Sequence, residues 1–202
     1  MNGCDDIAAD QLLFAIGRHP NTEDLGCVEA GVALSDNGAV KVDEDNRTSV
    51  ASIFAVGDVT DRVQLTPVAI REGQAFADTQ FGDHPTRVDY DCIPHAVFSH
   101  PPIAAVGLTE SQAKNKLGSV KTFTSDFRPM KNVLAGRNER SLYKLVVNSE
   151  NDEIVGVHMI GPDAPEILQA AAIAVKAKLK KSDFDSVIAL HPTMAEELVL
   201  MR

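Results

Sequence analysis

His191 lies in the segment Leu190-His191-Pro192-Thr193, shortly before the adjacent carboxylates Glu196 and Glu197. Imidazole changes charge near neutral pH and a carboxylate can orient the ring, so these residue types could do acid–base chemistry, although their spacing does not select it. The same residues also fit a plainer role. Thr193 and Glu196 have the spacing of a capping box, in which Glu196 folds back on the start of a terminal helix and His191 is a loop residue before Pro192. The two readings conflict, because a carboxylate folded onto its own helix start is less free to hold an imidazole.

A second acidic position, Asp58, follows Gly57 at the end of the apolar run Ile53 to Val56. Thr66-Pro67 then offers a cap followed by proline at the first helical position, for a helix reaching about Phe81. Such a helix start presents unpaired N–H groups and partial positive charge to an electron-rich ligand. The other candidates are plainer. His158 sits in an apolar strand between Val157 and Met159 and reads as a structural residue, and His100 before Pro101-Pro102 reads as a turn element. Met130 reads as packing. No H-x-x-H or His/Cys cluster has metal spacing, so no metal is expected.

These residues sit in a chain of 202 residues with a formal net charge of −10 and ordinary globular composition, 44% apolar and 24% charged. Binding nucleic acid or an anionic membrane needs clustered Lys and Arg, which are missing, so neither partner is expected. Cys4, Cys27 and Cys92 form no C-x-x-C pair and are odd in number, which fits a reducing compartment. With no leader-like N-terminus and no long apolar run, a soluble cytoplasmic protein is expected.

The elements that must position the candidates fall into two groups. Gln11 to Ile16 and Ile53 to Val56 read as buried strands, and Gly38 to Val42 as a short strand after the turn-like Asp36-Asn37-Gly38. With the Thr66 helix they make an α/β arrangement. The stretch 82–94 has no helical period and two prolines, which marks a domain boundary. Beyond it, strands are expected near Ala96 to Phe98, Ala104 to Leu108, Val120 to Thr124, Tyr143 to Val147 and Ile154 to Ile160. Thr109 and Gln112 form a capping box for a helix ending near Gly118. Asp163 is expected to cap a longer helix whose Ile167, Leu168, Ala171, Ala172 and Val175 share a face. Neighbouring strands with segregated helices predict an antiparallel α+β domain.

Four segments together carry a family resemblance: Phe14-Ala15-Ile16-Gly17-Arg18; Ala55-Val56-Gly57-Asp58-Val59 with Leu65-Thr66-Pro67-Val68-Ala69-Ile70; Phe98-Ser99-His100-Pro101-Pro102-Ile103 with Val106-Gly107-Leu108-Thr109-Glu110; and His191-Pro192-Thr193 with Glu196-Glu197. In that order they resemble the C-terminal part of the glutathione reductase branch of the flavin-dependent pyridine nucleotide–disulfide oxidoreductases. The resemblance implies a nicotinamide-domain remnant over 1–18, the end of a Rossmann-like FAD-binding domain over 19–91, and an α+β dimerisation domain with an antiparallel sheet over 92–202. It implies that Asp58 bonds the ribityl chain of FAD and that the backbone near Thr66 approaches the isoalloxazine. His191, paired with Glu196, would act across a homodimer as acid–base catalyst for thiols, and Met130 and Glu197 would contact glutathione disulfide. NADPH would serve the complete enzyme. Gln74 departs from the pattern, since some glutathione reductases carry a substrate-binding arginine there.

The chain has no G-x-G-x-x-G segment and no paired active-site cysteines, so a fragment that neither turns over nor retains FAD by itself is expected. A non-catalytic dimerisation or interaction module, and a fragment of a relative such as dihydrolipoamide dehydrogenase, are the alternatives.

Overall fold

The computed structural model describes residues 8–202, so Cys4 lies outside the described residues. They form two compact units, the first reaching Val88 and the second running from Asp89 to Arg202.

In the first unit the regular elements are a 3₁₀ turn at Gly57–Thr60 and the helix α1 at Thr66–Phe81. The three strands expected here do not form among the described residues. Val40 and Phe54 each make a single isolated bridge, with Leu34 and Arg47. The 11–16 segment takes up no regular structure and leaves Leu13 86% and Ile16 90% exposed. An apolar run becomes a buried strand only if neighbouring strands pair with it, and no described strand does so. Helix α1 begins at Thr66 itself, with Leu65 in the cap position and no side-chain cap. The proposed capping role of Thr66 is therefore corrected: it is the first helical residue, and its side chain is exposed. Val68, Glu72 and Ala75 form the buried stripe of α1, at the spacing of one helical face. Phe76 meets Phe54 with ring centroids 4.9 Å apart.

The second unit is built on five strands: β1 (His95–Val97), β2 (Ile103–Gly107), β3 (Val120–Phe127), β4 (Ser141–Asn148) and β5 (Ile154–Ile160). They lie in the order β1-β2-β5-β4-β3, every neighbour antiparallel. The alternating apolar residues Tyr143 and Leu145, with Val157 and Met159 on the next strand, bury one face of the sheet. Helix α4 (Ala164–Lys176) covers that face with Leu168, Ala171, Ala172 and Val175, and Ile167 packs at the margin. Asp163 precedes α4 in a left-handed conformation (φ 60°) with no cap bond from its side chain, so its expected capping role is also corrected. Its carboxylate instead meets Lys131 at 3.2 Å. The capping box of Thr109 and Gln112 forms in full at the start of α2 (Glu110–Leu117).

Two short helices, α3 (Met130–Leu134) and α5 (Lys181–Ser186), and the four-residue α6 (Glu197–Leu200) complete the unit. The expected helix from Thr193 is thus reduced to a single turn that starts after Glu196. Gly107 pairs with Gly156 where β2 meets β5, and a Cβ on Gly156 would lie 2.1 Å from the Leu108 carbonyl oxygen, so only glycine fits. The same carbonyl accepts a hydrogen bond from His158 Nε2 at 3.0 Å, which makes His158 a structural residue.

Candidate functional site

The structure brings His191 and Glu196 together. Nδ1 of the imidazole lies 3.1 and 3.0 Å from the two oxygens of the Glu196 carboxylate. The Glu196 side chain is 10% exposed whereas that of His191 is 66% exposed. An ionised carboxylate only accepts, so Nδ1 must donate, and the second nitrogen, Nε2, is left for proton exchange.

The conflict over Glu196 resolves by a division of labour. Its backbone N–H bonds Thr193 Oγ1 at 3.2 Å, which is half of the capping box. Its carboxylate turns to His191 instead of back to Thr193. Thr193 Oγ1 in turn donates to the Leu190 carbonyl at 2.8 Å, closing the loop that carries the imidazole. Glu197 does something different: its carboxylate accepts from Ser125 Oγ on β3 at 2.6 Å. Met130 starts α3 and is half exposed, on a separate element of the same unit.

In the first unit Asp58 lies in the 3₁₀ turn, its side chain 43% exposed, with Arg18 at 3.3 Å. The turn is fixed from below by Glu72, which is 1% exposed and accepts the Gly57 N–H at 2.6 Å while pairing with Arg62 at 3.1 Å. Gly57 has φ 74°, and a Cβ there would lie 3.0 Å from that of Ala69. A side chain at this position would push the Asp58 turn away from α1.

These features fit one end of FAD. An accessible carboxylate suits the hydroxyls of a ribityl chain. An exposed helix start, at the positive end of the helix dipole, suits the electron-rich edge of an isoalloxazine. They offer nothing for a pyrophosphate.

Glu72, Ser125 and Lys181 were not singled out by sequence. Glu72 carried a readable signal, a carboxylate at the spacing of the apolar stripe of α1. Ser125 lies in a polar stretch of β3 and Lys181 in the run Lys180-Lys181-Ser182-Asp183, where nothing marks either as buried or bonded. Among the described residues no cluster of His, Cys, Asp or Glu could hold a metal ion, and no helix is long and apolar enough to cross a membrane.

Comparison with known proteins agrees with the resemblance read from sequence. The chain is 51% identical over 198 residues to a glutathione reductase of Burkholderia cepacia, covering 98% of this chain and 44% of that protein. It is 52% identical over 191 residues to the chloroplastic/mitochondrial glutathione reductase of Pisum sativum (95% and 35%), and 44% identical over 197 residues to a trypanothione reductase of Trypanosoma congolense (97% and 40%). The chain thus spans less than half the length of these relatives. Among solved structures, the HOCl-induced flavoprotein disulfide reductase RclA of Escherichia coli superposes with a TM-score of 0.82 at 27% identity, over 91% of this chain and 42% of that one. A model of the pyridine nucleotide-disulphide oxidoreductases matches residues 2–73, and one of their dimerisation domain matches residues 93–202. With the dimerisation domain alone accounting for more than half of its residues, the chain belongs to the pyridine nucleotide-disulphide oxidoreductase family.

Proposed function

We propose that this chain is the C-terminal portion of an NADPH-dependent glutathione-disulfide reductase, and that it supplies flavin contacts, the homodimer interface and an acid–base pair acting across the dimer. In this reading residues 1–18 are the remnant of a nicotinamide-binding domain, 19–91 the end of the FAD-binding domain and 92–202 the interface domain. The observation that carries it is the 3.0 Å contact between Nδ1 of an exposed His191 and the nearly buried carboxylate of Glu196.

That arrangement suits disulfide reduction. When a thiolate attacks a disulfide, the second sulfur leaves as a thiolate, and a proton donor of near-neutral pKa eases its departure. Nε2–H of the imidazolium gives that proton, and the ring returns to neutral with its Nδ1–H still on Glu196. The carboxylate stabilises the positive ring and fixes its plane. Asp58 and the backbone at Thr66 would hold FAD, which supplies two-electron redox chemistry when bound. Met130 and Glu197 are assigned to glutathione disulfide. The substrate assignment follows the glutathione reductases, the more similar relatives by identity, ahead of trypanothione reductase.

The test is to supply the N-terminal part from a matching glutathione reductase and assay the joined protein. NADPH-dependent reduction of glutathione disulfide is expected. A dimeric, flavin-loaded protein that leaves glutathione disulfide untouched would overturn the reading.

A further inference from the structure

Helix α6 is a single turn, and a turn of four residues does not hold itself together, because helix formation begins with an unfavourable nucleus. Yet Glu196, immediately before it, must keep its carboxylate on His191. The turn is held at both ends. At its start Thr193 Oγ1 takes the Glu196 N–H, and Ser125 Oγ bonds Glu197 at 2.6 Å. At its end the Met201 carbonyl accepts from Lys181 Nζ at 2.8 Å and from Arg202 at 3.1 Å.

Lys181 is unusual for its type, with only 3% of its surface exposed. Its ammonium pairs with Asp185, bonds the Met201 carbonyl and lies 4.5 Å from the ring centroid of Phe123 on β3. Asp185 also accepts from Arg202 at 2.6 Å. The backbone N–H of Lys181 bonds the carbonyl of Asp152, in the turn between β4 and β5, at 2.8 Å. One residue therefore spans from the sheet to the chain's last turn. An apolar side chain of similar volume could fill this space, since replacing a buried ion pair by good packing is often neutral for stability, and Asp185, one-third exposed, keeps Arg202 as a partner. What the ammonium adds is direction: its donors meet defined acceptors on two elements.

We propose that Lys181 is a positioning residue, which, by fixing the end of α6 through Met201 and Asp185, keeps the Glu196 carboxylate aimed at His191. The proposal rests on the acid–base reading of that pair, and the test separates the two. Histidine-selective ¹⁵N labelling of the 202-residue chain, with His191 identified by its loss in His191→Gln, reports which ring nitrogen carries the proton. The intact chain is expected to hold the neutral ring of His191 as the Nδ1–H tautomer. Glu196→Ala should shift it toward Nε2–H. Lys181→Met should do the same in part while circular dichroism stays native, and Lys181→Arg should restore the original tautomer. Should Lys181→Met fail to fold, Asp185→Asn, which keeps the lysine and its Met201 bond, is expected to give a smaller shift in the same direction. An unchanged tautomer in folded Lys181→Met, or in Asp185→Asn if that is the variant measured, overturns the role of Lys181. An unchanged tautomer in Glu196→Ala overturns the acid–base pair itself.

Discussion

Ser125 and Glu197 are joined across seventy-two residues of sequence by a hydroxyl–carboxylate hydrogen bond of 2.6 Å, which ties the last helical turn to strand β3. Hydrogen bonds to charged groups are worth roughly 1.5–3 kcal/mol, and Glu197 keeps some contact with water, so Ser125→Ala should cost about 1–2 kcal/mol. Urea unfolding of the two chains measures it. Unchanged stability would mean that the carboxylate finds an equal partner in solvent.

The acid–base role of His191 predicts a split in kinetics once the N-terminal part is supplied. His191→Ala should slow disulfide reduction by about 10²–10⁴-fold, the usual contribution of a positioned acid–base group. Flavin reduction by NADPH should be nearly unaffected, since hydride transfer to the flavin needs no proton on sulfur. Glu196→Gln should lose less, because an amide retains the shape and one acceptor but not the charge. Stopped-flow observation of each half-reaction distinguishes these outcomes, and near-normal turnover by His191→Ala would leave the residue with a loop role.

For the isolated chain, a homodimer without bound flavin is expected. The dimerisation-domain model matches residues 93–202, and Ile188 and Leu190, beside His191, are 95% and 75% exposed. A pyrophosphate cradle is missing from the sequence. Light scattering at tens of micromolar and an absorbance spectrum after purification check both halves. A monomer, or a stoichiometric yellow chromophore, would contradict them.

Glu110 gives a pH dependence of known sign. Hydrogen bonds from Lys114 and then Lys144 lower its carboxyl to about 2, from an ordinary 4.5. The unfolded chain therefore binds this proton more readily than the folded one, so the contribution is fully present above the ordinary carboxyl range and is lost as pH falls toward about 2. The contact with Lys114 lies within α2, whereas Lys144 lies on β4, so one of the two lost contacts joins α2 to the sheet. Measured against the intrinsic pH dependence of exchange, protection of the 110–117 amides should fall over that window, and Glu110→Gln should leave it nearly flat.

Legibility from sequence differed between the two units for a physical reason. The apolar run Ile154–Ile160 coincides with strand β5, and the Thr109–Gln112 capping box and the buried face of α4 form where the sequence pattern places them. In each case the pattern and its partner lie inside the chain. The 11–16 and 53–56 runs have the same apolar character but pair with no strand among the described residues, so apolar character alone overstates them. In the site, the two plausible uses of Glu196 were both visible. That its backbone would serve one and its carboxylate the other depends on where α6 starts, and boundaries of short helices are poorly encoded in local sequence. Lys181 was invisible because its burial is created by Phe123 and Met201, far away in sequence.

The strand order has a kinetic consequence. β3, β4 and β5 form a meander, β4 and β5 joined by a short turn and β3 and β4 by the stretch 128–140 that carries α3, whereas β2 reaches β5 only by bringing together residues such as Val106 and Val157, about fifty positions apart. Closing the longer loop costs more chain entropy, so the topology predicts that β5 waits with one edge bare until β2 arrives. Pulse-labelled amide exchange should find β3–β5 protected before β2, and simultaneous protection would refute that sequence. The vulnerable interval then belongs to the whole chain as it folds or refolds: β5 is a hydrophobic strand with an open rim that another copy could occupy first.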